Sequence, residues 1–266
     1  LEKGKTLMQA GSLDTAGVEI RNAMQIDPKN SEAMYLAGLL IEKGGEDYRR
    51  AFQHFVKAAE MDSGNLAARA RVGRYYLLSG DMPKAEESLA EITKLDPANL
   101  EGRNLRASIL AAKKDIPGAI AEATDILNKD PGQVDTANFL AGLYMATQSN
   151  QDAVAVLDKA IVASPKNTAL RIVRAAVATR MNDNPAAEKQ LQEVIVLEPK
   201  RTEHRNNLAA FHARSKELDK GEKVLRDAIV ADKNDVKRRL ALLEYVSTFR
   251  SLEAAEKEAR VQVAED

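Results

Sequence analysis

Residues 134–165 decide the fold, and they read VDTANFLAGLYMATQSNQDAVAVLDKAIVASP. Leu140 and Tyr144 lie four apart in the first half of this stretch, and Ala153 and Leu157 lie four apart in the second half. Residues at this spacing share one face of a helix. A polar Ser-Asn-Gln segment separates the halves, and the final proline ends the second one because it lacks an amide hydrogen. The stretch therefore predicts two short amphipathic helices joined by a tight turn.

The same pattern returns along the chain, and each copy closes with a similar dipeptide. These dipeptides are Asp27-Pro28, Asp62-Ser63, Asp96-Pro97, Asp130-Pro131, Ser164-Pro165, Glu198-Pro199 and Asp232-Lys233. The period is 34 residues from Ser63 onward, whereas the step from Pro28 to Ser63 is 35. We expect the additional residue at the Gly44-Gly45 pair. Asparagines that we expect to cap the following helices stand two residues after several closing positions. They are Asn30, Asn65, Asn99 and Asn167.

Small residues recur at two places in the repeat, where the helices are expected to approach closely. In the first helix they are Gly4, Gly38, Gly73, Ala107, Ala141, Ala175 and Ala209. In the second helix they are Ala16, Ala51, Ala85, Ala119, Ala153 and Ala187. Large apolar residues stand four positions after this place at Ile20, Phe55, Leu89, Leu157, Leu191 and Leu225, whereas Ala123 follows Ala119 and Leu225 follows Gly221. Glycine weakens a helix, so its use inside several first helices predicts a packing role.

Together, these positions resemble the tetratricopeptide repeat family. The resemblance covers essentially the whole chain and implies an all-α, right-handed superhelical solenoid of antiparallel helix pairs, each pair being a helix A followed by a helix B. We expect one solenoid domain, 1–266, of about eight repeats. The repeats are 1–30, 31–65, 66–99, 100–133, 134–167, 168–201, 202–235 and 236–266. The first repeat is truncated, so we expect the chain to be a fragment of a longer protein. Departures from the family pattern, such as Ser63 for proline and Gly221 for alanine, predict softer helix ends and leaner packing.

Composition and motifs argue against a catalytic, cofactor-binding or metal-binding site in this chain. Its net charge of −1 gives no reason to expect nucleic acid as a partner, and no apolar run approaches the roughly 20 residues that span a bilayer. The lack of cysteine excludes disulfides and zinc–thiolate sites. His204 and His212 lie eight residues apart, whereas a helical metal pair needs four. We therefore predict no catalytic, cofactor-binding or metal-binding residues, and no enzyme.

The resemblance further implies that a partner protein or peptide binds on the concave face formed by the A helices. The predicted partner-binding residues are Tyr35, Arg74, Asn104, Asn138, Arg180, Asn206 and Arg214. Asn104, Asn138 and Asn206 share one position in their repeats, and a carboxamide both donates and accepts hydrogen bonds. They are therefore predicted to hold the backbone of an extended peptide, although Ile172 interrupts the series. The alternative is that they are tolerated polar residues on an exposed face. The Lys, Asn and Lys of a chaperone-tail clamp are replaced here by Ala70, Leu105 and Asp135.

Three functions remain open at this stage. The first is a protein-interaction scaffold, with a loose similarity to bacterial proteins of cell-envelope and exopolysaccharide export, which favours the periplasm or cell envelope over the cytoplasm. The second is a regulatory or assembly arm of a larger enzyme, such as a glycosyltransferase or polysaccharide synthase. The third, a helical-repeat reader of RNA, is disfavoured by the acidic central repeats and the near-zero net charge. The partner's identity and the oligomeric state are left open.

Overall fold

The computed structural model of the protein describes residues 1–9, 11–45 and 47–264. Within those residues it consists of sixteen α-helices and contains no strand, so the all-α prediction is confirmed. The helices are α1 (Glu2–Gln9), α2 (Leu13–Ile26), α3 (Ser31–Gly44), α4 (Tyr48–Met61), α5 (Leu66–Leu78), α6 (Met82–Leu95), α7 (Leu100–Ala112), α8 (Ile116–Lys129), α9 (Val134–Ala146), α10 (Asn150–Ala163), α11 (Thr168–Arg180), α12 (Asn184–Leu197), α13 (Thr202–Arg214), α14 (Leu218–Ala231), α15 (Val236–Phe249) and α16 (Leu252–Ala264). No helix in the described ranges is long and apolar enough to cross a membrane.

The chain forms two compact halves, Leu1–Asn128 and Lys129–Asp266. In both halves the helices pack as consecutive pairs, of which α3 with α4 and α11 with α12 are the most extensive. Each predicted repeat contains one such pair of helices in sequence, an A helix and a B helix. That all of the pairs belong to a single solenoid domain stays a prediction.

The turns between repeats are held by side chains that accept hydrogen bonds from the backbone. Asn30 Oδ1 accepts from the Ala33 amide at 2.8 Å, and Asn65 accepts from the Ala68 amide at 3.0 Å. Asn99 and Asn167 cap α7 and α11 in the same way, which confirms the predicted caps. These bonds satisfy amides that a helix start leaves unpaired.

The turn from helix A to helix B has a different requirement, a residue in the left-handed backbone region. The residue at this position is glycine in the first three repeats and another residue type in the next four. In order, these are Gly11, Gly45, Gly80, Lys114, Gln148, Asn182 and Lys216, with φ between 58° and 82°. The additional residue of the second repeat lengthens its A helix, since α3 has 14 residues and α5 has 13.

The small residues lie where the sequence places them. All six helix B alanines have no exposed surface. A Cβ atom built on Gly38 would lie 2.6 Å from Phe55 Cε1, and one on Gly73 would lie 2.5 Å from Leu105 Cδ2. Both distances are well inside van der Waals contact, so the glycines are needed for close packing.

The expectation that Gly221 leaves its helix pair less tightly packed is wrong. A Cβ atom at this position would lie 2.7 Å from both the Ala209 carbonyl oxygen and Tyr245 Cζ. The Tyr245 ring occupies the space that the missing side chain leaves, and its hydroxyl donates to the Leu218 carbonyl at 2.9 Å. Tyr245 is 5% exposed, so the packing here is filled rather than lean. Ser63 also leaves its turn ordered, because Asp62 Oδ1 still accepts from the Gly64 amide at 2.8 Å.

Candidate binding surface

Within each half, A helices of neighbouring repeats contact one another. Most A helices pack against the B helix of their own pair, namely α1, α3, α5, α9, α11, α13 and α15. Several also pack against the next A helix: α5 with α7, α9 with α11, and α13 with α15. We call the surface of α3, α5 and α7 the N-terminal A face, and that of α9, α11, α13 and α15 the C-terminal A face. The seven predicted partner-binding residues lie on these helices.

The N-terminal A face carries a network of tyrosine, arginine and glutamate. Arg71 Nη1 donates to Glu42 Oε2 at 2.9 Å, and the rings of Tyr35 and Tyr75 lie 5.7 and 5.8 Å from that of Phe55. Burial, together with the nearby Glu42 carboxylate, raises the pKa of Tyr75 to about 12. Burial above all raises the pKa of Tyr35. Both tyrosines are therefore neutral at physiological pH and are held in place by the packing beneath them.

The two other predicted residues of this half, Arg74 and Asn104, differ in how much of the side chain is exposed. Arg74 is half-buried, and its Nη2 lies 4.0 Å from Glu101 Oε2. Asn104 is only 8% exposed, because α7 packs directly against α5. Its side chain therefore presents little surface to a partner. The alternative, that Asn104 is a polar residue on an exposed face, is wrong for this residue, and its part in partner binding stays a prediction.

The C-terminal A face is more open. Asn138 and Asn206 are half-buried, and the Oδ1 atom of each is buried without a hydrogen-bond partner among the described residues. At the same position in the intervening and following repeats, Ile172 is 36% exposed and Leu240 is 57% exposed. A Cβ atom on Gly142 would meet nothing within 4 Å, so the helix backbone itself is accessible there. At this repeat position the face therefore alternates carboxamides with apolar side chains, and the backbone of α9 is exposed at Gly142.

Two exposed arginines border this face. Arg180 and Arg214 occupy the last position of α11 and α13, and no ion pair to either guanidinium occurs within residues 1–9, 11–45 and 47–264. Arginine at such positions suits recognition of carboxylates. Leu240 is not among the predicted residues, although it stands 34 residues after Asn206 and its repeat position identifies it. The Arg71–Glu42 pair was also missed, because it joins two helices that sequence alone does not bring together.

Two of the three histidines, His204 and His212, pair with glutamates of the C-terminal half. His204 is 3% exposed, and its Nε2 lies 2.7 Å from Glu198 Oε2. Burial alone would raise the pKa of Glu198, but hydrogen bonds from His204 and Thr168 outweigh it and hold the pKa below its ordinary value. His212 is equally buried, with Nδ1 2.9 Å from Glu217 Oε2. Within the described chain, no group of three or more His, Cys, Asp or Glu residues is placed to hold a metal ion.

Comparison with known proteins agrees with the repeat architecture. Two family models described as tetratricopeptide repeat match residues 45–109 and 172–236. A comparison with curated proteins finds no match. Among solved structures, yeast Tom70 is similar at 18% identity and a TM-score of 0.64, over 93% of this chain and 51% of that chain. The human IFIT1 dimer with PPP-AAAA has 13% identity and a TM-score of 0.65, over 99% of this chain and 71% of that chain.

A tetratricopeptide repeat protein from Parabacteroides merdae is also similar, at 16% identity and a TM-score of 0.51, over 92% of this chain and 96% of that chain. At these identities the structural likeness shows the fold alone. The chain spans about half the length of the Tom70 structure.

Proposed function

We propose that this chain, which belongs to the tetratricopeptide repeat family of protein–protein interaction scaffolds, binds an extended segment of a partner protein on its C-terminal A face. The observation that carries the proposal is the alternation at one repeat position of Asn138, Ile172, Asn206 and Leu240. The two asparagines are half-buried with unpaired carboxamide oxygens, and the two apolar residues are exposed.

The spacing of the A helices suits an extended chain. Packed helices lie about 8–10 Å apart, and an extended chain advances about 3.3–3.6 Å per residue, so one repeat corresponds to roughly three ligand residues. The carboxamides of Asn138 and Asn206 are then about six ligand residues apart. Because the oxygen of each is buried, each bonds to the ligand backbone through its amide nitrogen or after rotation of the carboxamide. Ile172 and Leu240 take apolar ligand side chains. Arg180 and Arg214 favour acidic residues on one side of the ligand.

Paired alanine substitutions test this proposal. Peptides are first selected on the wild-type chain from a random peptide library displayed on phage, and their affinity is then measured by fluorescence anisotropy. Asn138→Ala combined with Asn206→Ala should weaken binding by about tenfold or more, because a net hydrogen bond contributes about 0.5–1.5 kcal/mol. The matched control combines Gln151→Ala with Asn184→Ala, which are exposed carboxamides of the B helices α10 and α12. Equal affinity of the two double variants refutes the proposed site.

The residues of the N-terminal half have a secondary place in the proposal. Tyr35 and Arg74 stay predicted as additional partner contacts, since tyrosine and arginine are common among residues that dominate binding energy. Asn104 stays in the predicted set, but its burial makes Asn206 the better choice for the paired substitution.

Two cellular roles are compatible with a protein-binding repeat domain. A part in bacterial envelope polysaccharide export or secretion stays a prediction from resemblance, and so does the alternative of a regulatory or assembly arm of a larger enzyme. It also stays a prediction that the chain lacks catalytic activity and does not bind nucleic acid. Sequencing the gene on both sides of residues 1–266 distinguishes the two roles, because a lipoprotein signal supports the first and an adjoining catalytic domain supports the second.

A further inference from the structure

Three valines on the outer helices of the C-terminal half are unusually exposed. Val162 on α10, Val196 on α12 and Val230 on α14 are 82%, 74% and 72% exposed. They occupy the same position in three successive repeats, 34 residues apart. We call them the valine ridge. The ridge belongs to B helices and is therefore separate from the C-terminal A face.

The ridge has no role in the core of the half. The residues directly before the valines, Ile161, Ile195 and Ile229, are the partly buried ones, and the last two pack against core clusters. In the preceding repeats the ridge position is polar, with Gln25, Glu60, Lys94 and Asn128. Valine is also a poorer helix former than glutamine, glutamate or lysine. Three exposed valines at one repeat position therefore make this face a candidate for contact with another molecule.

The surroundings of the ridge are suited to apolar contact at one end. A shallow groove of about 460 Å³ lies beside Val162 and is lined by Pro131, Ala155, Asp158, Lys159 and Ala163. The groove has room for an apolar side chain from a neighbouring molecule. An exposed apolar ridge with an adjoining groove presents both parts of a self-complementary contact.

We propose that the valine ridge is the face on which two copies of this chain associate. Charges beside the ridge favour a second copy in antiparallel alignment, with Val196 opposite its counterpart and Val162 opposite Val230. Lys159, Glu193 and Asp227 each lie three residues before a ridge valine; half-buried Glu193 meets its own counterpart in either alignment, so only Lys159 and Asp227 distinguish the alignments. This alignment sets Lys159 beside the second copy's Asp227, and it does so twice because of the two-fold symmetry. The opposite alignment would set Lys159 beside Lys159 and Asp227 beside Asp227.

Both of these charged groups are available for such a contact. Asp227 is 64% exposed and pairs with Lys223 at 2.7 Å, an exposed pair that contributes little and is easily exchanged. Lys159 is exposed and has no ion pair within the described residues. Three valine side chains cover less than the roughly 800 Å² per partner of a standard interface, so the association is weak and depends on protein concentration.

Sedimentation velocity over about 5–500 µM protein tests the proposal. The wild-type chain should approach twice its mass of 29.1 kDa at the upper end of this range. Val196→Ser should weaken the association by about fivefold or more, since it removes a central apolar side chain. Val236→Ser is the matched control, because Val236 is 64% exposed but lies on α15. A wild-type chain that stays monomeric, or equal effects of the two substitutions, overturns the proposal.

A charge exchange then distinguishes the proposed pairing of Lys159 with Asp227 of a second copy from non-specific association of apolar surfaces. Lys159→Glu and Asp227→Lys should each weaken the association, because each places like charges together. The double variant should restore most of the wild-type dimerisation, since it reverses both partners of the same pair. A double variant that associates no better than the single variants overturns the antiparallel self-association.

Discussion

Replacing Gly73 with alanine is expected to destabilise the N-terminal half, although alanine is the better helix former. The added Cβ would lie 2.5 Å from Leu105 Cδ2 and 3.0 Å from Ser88 Cβ. Leu105 has no exposed surface and belongs to a core cluster with Ala70 and Ile92, so it has no room to withdraw. Gly142, inside α9, is the matched comparison because an added Cβ would meet nothing within 4 Å.

The two substitutions differ in sign for a physical reason. Exchange of glycine for alanine inside a helix stabilises by about 0.5–1 kcal/mol, and overpacking of a filled core costs about 1–3 kcal/mol. Gly142→Ala should therefore raise the free energy of unfolding by about 0.5–1 kcal/mol. Gly73→Ala should lower it by about 0.5–2 kcal/mol. The difference between the two variants isolates the overpacking contribution, and Gly73→Leu should cost more than Gly73→Ala.

Urea unfolding followed by circular dichroism measures these differences. Because repeat proteins do not always unfold in one step, the midpoint and slope of each transition are compared with the wild-type values. Equal stabilisation by Gly73→Ala and Gly142→Ala would refute the close contact at Gly73 and with it the assigned register of the repeats.

Other predictions concern a hydrogen bond, a turn and a buried carboxylate. Tyr245→Phe should lower the free energy of unfolding by about 0.5–1.5 kcal/mol in urea titrations, since it removes the bond to the Leu218 carbonyl. Gln148→Gly should raise the thermal midpoint, because Gln148 has φ 63° and glycine adopts that region with less strain. Burial alone would raise the pKa of Glu258, but the Arg226 guanidinium holds it below its ordinary value. That contribution to stability is present above the ordinary pKa and is lost as pH falls through the lowered one. From about pH 5 to pH 3, the wild-type chain should therefore lose more stability than Glu258→Gln, and parallel losses would contradict this assignment.

The features that sequence predicts well are those set by neighbours along the chain. Asn65 caps α5 through an amide three residues away, and Pro28 closes a repeat by its own chemistry. The packing role of the glycines in the first helices is predictable because seven aligned repeats place a small residue at the same position. Local rules of this kind are sufficient to give the helix pairs and their order.

The features that sequence missed depend on contacts between distant residues. Asn104 is buried because α7 packs on α5, and nothing in the sequence around it distinguishes it from Asn138 or Asn206. The space at Gly221 is filled by Tyr245, which lies 24 residues later and one repeat away. By contrast, the aligned repeats do reveal the valine ridge, since that position is polar before Val162, valine at Val162, Val196 and Val230, and alanine at Ala264.

Cysteine footprinting tests most directly whether a partner binds on the C-terminal A face. The chain contains no cysteine, so single thiols can be introduced without background. Arg180→Cys and Arg214→Cys place thiols on that face, and Asn184→Cys places one on the exposed start of α12. With saturating selected peptide, maleimide should label the first two more slowly and the third at an unchanged rate. Protection of Asn184→Cys, or no protection of Arg180→Cys and Arg214→Cys, would contradict binding on the A face.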